Sequence, residues 1–448
     1  MRFAKRSLHV LAMSASLLGC SGNPPQSNNA AITYYRDVKP IVDEKCAALC
    51  HHGDGIAPFT LLSYSDLMAE TTNIRYAVAN RIMPPWLAAP GCTDYYRDRS
   101  LSDAQIKTIT DWIDSGAAEG DPADYKALGQ GAPVGLSRID LHTMIPQVYT
   151  PKLAPDEYRC FVVDWPETTT KYVSGFGVEP GNPTIVHHVI AYLADPSLAA
   201  AAVAADKADP DPGYLCFGGP GLGNMSPPSM LGAWAPGVTG QDFPPGTGQK
   251  VLPGSKLIIQ IHYNLLNVAT GQSPAPDQTA VDFKLEDSVI KEGTQVFWTD
   301  FVDWILNNQM KIPAGAKDTK YAFAADPTPY MGYLTNGLIP MGSPFTIYGA
   351  GLHMHTRGTH ARTAIEHKDG TEECMLDIPR WDFHWQGGYG FQQPKTVKPG
   401  DQISLECHWD NSAANQPIVN GVPLQPRDLT WGEGTTDEMC LAAFYVTQ

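Results

Sequence analysis

The chain has 448 residues, a formal net charge of −16, 41 glycines, 38 prolines and 9 cysteines. This length suits two or three domains of ordinary size. The acidic balance argues against nucleic acid and anionic lipid headgroups as partners, because both carry the same charge as the protein. Glycine and proline interrupt most of the chain after about the first hundred residues, which favours many short strands joined by turns.

The N-terminus has the pattern of an export signal. Three basic residues precede an apolar run over residues 8–18, which is too short to span a bilayer. The run ends in Leu-Leu-Gly-Cys, which resembles a bacterial lipobox. We therefore predict a lipoprotein signal peptide at residues 1–19, lipidation of Cys20 and a tether at residues 20–31. An ordinary signal peptide with an incidental cysteine is the alternative.

This reading predicts an exported lipoprotein, periplasmic or at the cell surface, held to a membrane by its lipid anchor. The residue after the lipidated cysteine is Ser21. An aspartate there would indicate retention in the inner membrane, so the serine favours the outer membrane.

Residues 32–127 contain two cysteines followed by a histidine, in the order Cys46, Cys50, His51. Two thiols on one turn can form thioether bonds to the edge of a haem and direct the histidine to the iron. The spacing is C-x-x-x-C-H, one residue longer than the usual attachment motif. A disulfide between the two cysteines, with a solvent-facing histidine, is the alternative.

Met83 lies on a stiff Met-Pro-Pro loop downstream, where its sulfur can reach the second face of the iron. A Met/His ligand pair suits electron transfer; Met68 is a second candidate for this role. A capping box at Ser102 then opens an amphipathic helix that closes before Gly116. The order of these elements resembles a small class I cytochrome c, which implies an all-α domain with haem c.

Histidines recur in apolar, strand-like segments of the remaining chain. His187 and His188 are adjacent, so both can reach one ion only if the strand twists locally. His353 and His355 are two residues apart and share one face of a strand, which favours a bidentate grip on a metal. A lone strand histidine such as His262 is more often a core residue. Together with Met439, the set favours copper, since imidazole and thioether suit an ion that cycles through Cu(I).

The order of His-His, strand His, His-x-His and Glu-Met-Cys resembles the ascorbate-dependent type II copper monooxygenases, the family of peptidylglycine α-hydroxylating monooxygenase and dopamine β-monooxygenase. The resemblance runs from about residue 158 to 445. It implies two all-β jelly-roll sandwich domains, which we expect at residues 128–290 and 291–448. Each would hold one copper and face the other across a cleft.

The resemblance also implies roles for individual residues. One copper, which stores an electron, would be held by His187, His188 and His262. The second copper, where O2 reacts, would be held by His353, His355 and Met439. The implied disulfide of the family is Cys407–Cys440, and we pair the two cysteines of the first sandwich, Cys160–Cys216. Cys92 and Cys374 remain unassigned.

The implied activity is hydroxylation of a C–H bond in a small organic substrate by O2, with electrons supplied by a periplasmic redox protein or a small reductant through the fused haem. Gly351 stands where the peptide-hydroxylating enzyme has an arginine that grips a carboxylate, and Leu441 and Ala443 replace polar residues, so peptide C-termini are not expected as substrates. Trp381 begins an aromatic run that lines an apolar pocket or belongs to the core. The alternatives are an electron-transfer or copper-binding lipoprotein without oxygenase activity, and a lipoprotein in which only the cytochrome functions.

Overall fold

The computed structural model describes residues 31–53, 55, 57–128, 135–222, 229–236, 240–266, 268, 271–419 and 421–448. The predicted signal peptide and Cys20 lie outside these residues. Within the described part, no helix has the length and apolar character needed to cross a membrane.

Helices are short and lie mostly near the N-terminus. The α-helices are α1 (Lys39–Val42), α2 (Tyr64–Ala69), α3 (Thr71–Ala79), α4 (Asp103–Asp114), α5 (Ala199–Ala208) and α6 (Met331–Leu334). Shorter helical turns of π type span Tyr34–Val38, Asp43–Ala47 and Phe301–Leu306, and those of 3-10 type span Pro122–Asp124, Thr328–Tyr330 and Ala413–Asn415.

Strands dominate the rest of the chain, as its glycine- and proline-rich composition predicts. They are β1 (Leu141–Met144), β2 (Asp156–Asp164), β3 (Lys171–Glu179), β4 (Val186–Ala194), β5 (Tyr214–Leu215), β6 (Ser229–Trp234), β7 (Gln241–Asp242), β8 (Thr247–Val251), β9 (Lys256–Asn264), β10 (Ala280–Glu286), β11 (Lys291–Trp298), β12 (Thr319–Ala325), β13 (Phe345–His353), β14 (Gly358–Glu366), β15 (Glu372–Ile378), β16 (Gly388–Val397), β17 (Gln402–Trp409), β18 (Ile418–Val419), β19 (Val422–Pro423) and β20 (Leu441–Thr447).

The described elements before β1 form a small helical module with its own core. Tyr34, Val38, Leu67, Ile109 and Trp112 are buried together there. The predicted capping box is present, because the hydroxyl of Ser102 accepts a hydrogen bond from the Gln105 backbone and the Gln105 side chain accepts one from the Ser102 backbone. The helix predicted after Ser102 is therefore present, as Asp103–Asp114.

Three larger sheets form two sandwich-like units, and the largest sheet takes part in both. A nine-stranded sheet has the order β1-β10-β3-β8-β11-β20-β13-β16, with β7 beside β3. One half of it packs on the five-stranded sheet β5-β2-β9-β4-β6 across one core, and the other half packs on the four-stranded sheet β12-β17-β14-β15 across a second core. The β sandwiches are as predicted; the jelly-roll topology stays a prediction.

The two halves share one sheet. Lys291 and Glu292 of β11 pair in parallel with Thr247 and Gly248 of β8. The predicted boundary between residues 290 and 291 thus lies at the start of the strand that joins the halves. Main-chain hydrogen bonds continue across it.

The helical module is fastened to the second sandwich by residues 84–99. The disulfide Cys92–Cys374, whose members had no predicted partner, spans 282 residues of sequence. The Ala89 amide donates to the Asp377 carbonyl at 2.7 Å, and the Tyr96 amide donates to the Gly390 carbonyl at 2.8 Å. The Trp86 and Tyr389 rings meet edge to face, with centroids 4.9 Å apart. A cross-link, main-chain bonds and an aromatic contact therefore fix the module against β15 and β16.

We expect replacement of both Cys92 and Cys374 by serine to lower the free energy of unfolding by about 2–4 kcal/mol, as for other native disulfides. Residues 84–99 should also become accessible to limited proteolysis, because the cross-link holds them to β15. Thermal unfolding and mass spectrometry of the fragments measure both effects. The control is Cys160→Ser with Cys216→Ser, which removes a disulfide within the first sandwich and should leave residues 84–99 protected. Equal proteolysis of wild type and the Cys92/Cys374 variant would contradict this view.

Candidate metal centres

The first histidine group forms where β4 and β9 pair. The register of β4 against β9 shifts between Val186 and His188, so His187 is the extra residue of a bulge. This shift turns adjacent histidines toward the same point, which regular strand alternation would prevent. The Nδ1 atoms of His187 and His262 each lie 3.3 Å from Nδ1 of His188. The local twist that the adjacent histidines required is therefore present.

The donor set of this group fits a metal ion. Two nitrogens held about 2.0–2.1 Å from one ion at a near-tetrahedral angle lie about 3.3 Å apart. Nδ1 of His188 faces the Nδ1 atoms of both His187 and His262. One proton on it can form a hydrogen bond to only one of them, whereas a metal ion can bind all three. Burial lowers the pKa of all three histidines, so they are held in the neutral form that binds metal.

Asp156 and Tyr158, on the neighbouring strand β2, orient His262. The Asp156 carboxylate lies 2.9 Å from Nε2 of His262, which leaves Nδ1 free to face the group. The Tyr158 ring stacks on His262 at 4.1 Å with an interplanar angle of 7°. Carboxylate and ring together fix the tautomer and the plane of this histidine.

The second group lies at the end of β13. His353 and His355 stand almost perpendicular, with ring centroids 5.1 Å apart. The Nδ1 atom of His353 lies 2.5 Å from the Gln386 side-chain oxygen, and that of His355 lies 3.2 Å from the Asp437 carbonyl. Both histidines therefore keep Nε2 for an ion. Burial lowers the pKa of His353 to about 4 and that of His355 also, so both are neutral.

Met439 lies two residues before β20, the strand that pairs with β13. His353 pairs with Leu441, and Leu352 with Ala442. Met439 is buried, with 7% of its surface exposed. The next residue, Cys440, forms the disulfide with Cys407 that the family resemblance implies. The other expected disulfide, Cys160–Cys216, is also present.

Glu438 braces the backbone of the second group. Its carboxylate accepts hydrogen bonds from the amides of His355 at 3.0 Å and Arg357 at 2.7 Å, and from the indole of Trp409 at 2.9 Å. The residue is completely buried, and this desolvation raises its pKa to about 7. A buried carboxylate with three donors holds a turn rigidly.

Phe383 stands between the two groups. Its ring stacks on His187 at 4.4 Å and meets His355 edge to face at 6.1 Å. Asp156 makes a second link, because it also accepts from the Thr435 hydroxyl at 2.7 Å, four residues before Met439. The groups therefore face each other at close range. Of the predicted aromatic run, Phe383 lines this junction, and Tyr389 contacts the helical module.

The cysteines of the helical module are not joined to each other. Cys46 and Cys50 are both free thiols, which is against the alternative disulfide. Burial raises the pKa of the Cys46 thiol to about 12. His51 directs Nδ1 to the Phe59 carbonyl at 3.0 Å, which leaves Nε2 available as an axial ligand. Met83, partly buried, begins the chain that leads to the docking residues 84–99.

Sequence reasoning missed the residues that support the histidines. Asp156 and Gln386 lie 106 and 33 residues from the histidines they orient, and no local pattern marks either. Glu438 had a usable signal, since it precedes Met439 in the predicted Glu-Met-Cys motif.

We expect Asp156→Asn to weaken binding of one copper about 10–100-fold, since the amide no longer enforces the tautomer of His262. Competition with a Cu(I) chelator measures this affinity. The control is Asp282→Asn, which changes a carboxylate that bonds His142 at 2.7 Å outside both groups. If both variants bind copper as tightly as wild type, Asp156 does not support a metal ligand.

Residues 304–447 match the family model for the C-terminal domain of copper type II ascorbate-dependent monooxygenases. This segment contains His353, His355 and Met439. It does not extend to the first histidine group or to the helical module.

Two curated relatives are the human and mouse proteins named DBH-like monooxygenase protein 2. They are 25% and 24% identical over 60% and 59% of this chain, and the matches cover 48% and 38% of their own length. The chain thus spans less than half the length of these relatives. A solved secreted protein of Parabacteroides distasonis aligns with 69% of this chain and 88% of that chain at 6% identity and a TM-score of 0.16, a likeness too weak to inform the fold. Over residues 304–447, the chain is therefore similar to the C-terminal domain of the copper type II ascorbate-dependent monooxygenases, and it is distantly similar to the DBH-like monooxygenase proteins.

Proposed function

We propose that the protein is a dicopper monooxygenase that hydroxylates a C–H bond of a small organic substrate. The reaction converts R–H, O2, two electrons and two protons into R–OH and water. The main support is the pair of facing groups: three converging histidines on one side, and His353 and His355 with Met439 on the other. Bound copper would supply single electrons and the open position at which O2 is reduced.

The two groups would divide the work. His187, His188 and His262 offer only imidazole, and we assign them the electron-storing site. His353, His355 and Met439 combine imidazole with a soft thioether, which stabilises Cu(I), and we assign them catalysis. Phe383, which is 8% exposed, stands at the junction between the two groups.

The chain holds its ligands ready through partners outside the metal sites. Asp156 fixes the tautomer of His262, Gln386 fixes His353, and the Asp437 carbonyl fixes His355. Glu438, next to Met439, holds the backbone at His355 and Arg357 by accepting hydrogen bonds from their amides. Such preorganisation keeps the ligand geometry constant while the copper charge changes.

The substrate is expected to lack a carboxylate at the position used by peptide substrates. Gly351 pairs directly with Ala443, and His353 pairs with Leu441. Gly351, Leu441 and Ala443 replace the polar residues that bind the peptide carboxylate in the family the sequence resembles. An apolar or uncharged small molecule is therefore the favoured class.

We further propose that the helical module carries haem c, attached through Cys46 and Cys50 with His51 and Met83 as axial ligands. The free thiols and the unengaged Nε2 of His51 support this assignment. The module would take electrons from a periplasmic redox protein or a small reductant. We also retain the lipid anchor at Cys20 and an outer-membrane location as proposals.

The docking geometry supports electron supply from the module to the second group. Trp86, three residues after Met83, contacts Tyr389. Gln386, three residues before Tyr389, contacts His353. Residues 84–99 thus connect the loop of Met83 to His353 through the Trp86–Tyr389 contact and the short segment from Tyr389 to Gln386.

The test of oxygenation uses the copper-loaded protein, ascorbate and ¹⁸O₂ with a small-molecule extract of the cells that make it. We expect at least one compound to gain a single ¹⁸O atom. Met439→Ala and His355→Ala should each reduce this signal at least about 100-fold, because even partners outside a metal site cost 10–100-fold.

His367→Ala is the matched control. It removes a histidine that bonds Asp401 away from both groups and should leave incorporation unchanged. Bound copper without any ¹⁸O incorporation or O2 uptake would instead favour an electron-transfer or copper-binding protein.

The haem proposal has a separate test in a host with c-type maturation. We expect one haem per chain that stays attached after denaturation. Cys46→Ser with Cys50→Ser should abolish attachment, whereas Met83→Ala should retain the haem but lose the charge-transfer band of the iron–methionine bond. The Cys92→Ser and Cys374→Ser variant, which also lacks two cysteines but keeps Cys46 and Cys50, is the control. Attached haem in the Cys46/Cys50 variant, or none in wild type, would overturn the assignment.

A further inference from the structure

A second kind of histidine cluster lies on the outer face of the four-stranded sheet, away from the two groups above. His360 of β14 pairs directly with His408 of β17, and Glu406 lies two residues before His408 on the same face. Their inner-face neighbours Ala361, Leu405 and Cys407 are buried in the core. The three side chains therefore converge on one half-buried surface point.

The distances are close to those of a coordination sphere. One ligand atom from each of His360, Glu406 and His408 lies within 4.8 Å of the others. Ligands about 2.0–2.2 Å from a common ion are at most about 4.4 Å apart. The Nε2 atom of His408 and a Glu406 oxygen are already 2.8 Å apart, so small side-chain rotations complete the set.

Two further carboxylates orient the histidines. Asp377 lies 2.8 Å from Nε2 of His360, and Asp318 lies 2.9 Å from Nδ1 of His408. His408 thereby directs Nε2 to Glu406, and His360 keeps Nδ1 for an ion. A histidine backed by a carboxylate is the usual arrangement around a protein-bound zinc.

The charge at this point also favours a cation. Glu406, Asp377 and Asp318 are three carboxylates within hydrogen-bonding distance of the two imidazoles. One cation, Lys320, contacts the cluster through the other oxygen of Glu406 at 2.6 Å. The three carboxylates outnumber Lys320, which favours binding of a divalent ion.

We propose that His360, Glu406 and His408 form a third metal site, which takes a divalent first-row cation of the zinc type. Two imidazoles and one carboxylate are a ligand set that zinc commonly accepts with a water in the fourth position. The oxygen ligand and the absence of a thioether among the three set this site apart from the Cu(I)-stabilising group at Met439.

The site would act as a clamp behind the second histidine group. His408 lies between Cys407, which is bonded to Cys440, and Trp409, which donates to Glu438. His360 lies on the strand that follows His355. An ion across β14 and β17 would therefore stiffen the strands that support Glu438 and Met439.

The experiment titrates Zn²⁺ into the copper-loaded full chain by calorimetry, followed by gel filtration and elemental analysis. We expect one retained zinc per chain with copper content unchanged, and a rise in the thermal midpoint. His360→Ala, His408→Ala and the milder Glu406→Gln should each weaken zinc binding at least about 10-fold and abolish the thermal effect.

His142→Ala is the matched control. This histidine belongs to a separate cluster with Glu179 and the buried Asp282, and its loss should leave zinc binding at His360, Glu406 and His408 intact. The proposal fails if wild type retains no zinc, if zinc displaces copper, or if the three variants bind zinc as wild type does. These outcomes are independent of whether the protein hydroxylates a substrate.

Discussion

The hydrogen bonds of the Asp156 carboxylate connect the two histidine groups. The carboxylate holds Nε2 of His262, so the opposite nitrogen faces His188. It also accepts hydrogen bonds from the hydroxyl and amide of Thr435, on the chain that leads to Met439. Because one carboxylate bonds to both sides, it links the tautomer of His262 to the position of the segment at Thr435.

A second carboxylate supports the second group in a similar way. Glu438 does for the second group what Asp156 does for the first, and the disulfide Cys407–Cys440 anchors the strand end beside it. The first group lies on the five-stranded sheet, and the second group lies at the end of β13 in the nine-stranded sheet, which packs on the five-stranded one. A copper ion that alternates between two charges would need ligands that do not rearrange, and the carboxylates behind the ligands would provide this rigidity.

Local sequence patterns predicted the features that depend on local structure. The amphipathic helix after Ser102, the strands around His262 and the pair His353 and His355 all follow from residue spacing. The sequence showed that His187 and His188 could bind one ion only if the strand twisted locally. It did not predict the bulge that provides this twist, because a register shift depends on the partner strand. The Cys92–Cys374 link and the position of Phe383 arise from tertiary packing across distant sequence, which periodicity does not encode. The family resemblance, rather than spacing, supplied Met439 and the Cys407–Cys440 disulfide.

The most direct test of the dicopper assignment is elemental analysis of copper and iron per chain. The protein would be made with c-type maturation, loaded with Cu(I) and freed of loosely bound metal. Two coppers and one iron are the predicted result, since imidazole and thioether groups retain Cu(I). Fewer than two coppers would contradict the account of the facing groups, whatever the iron content.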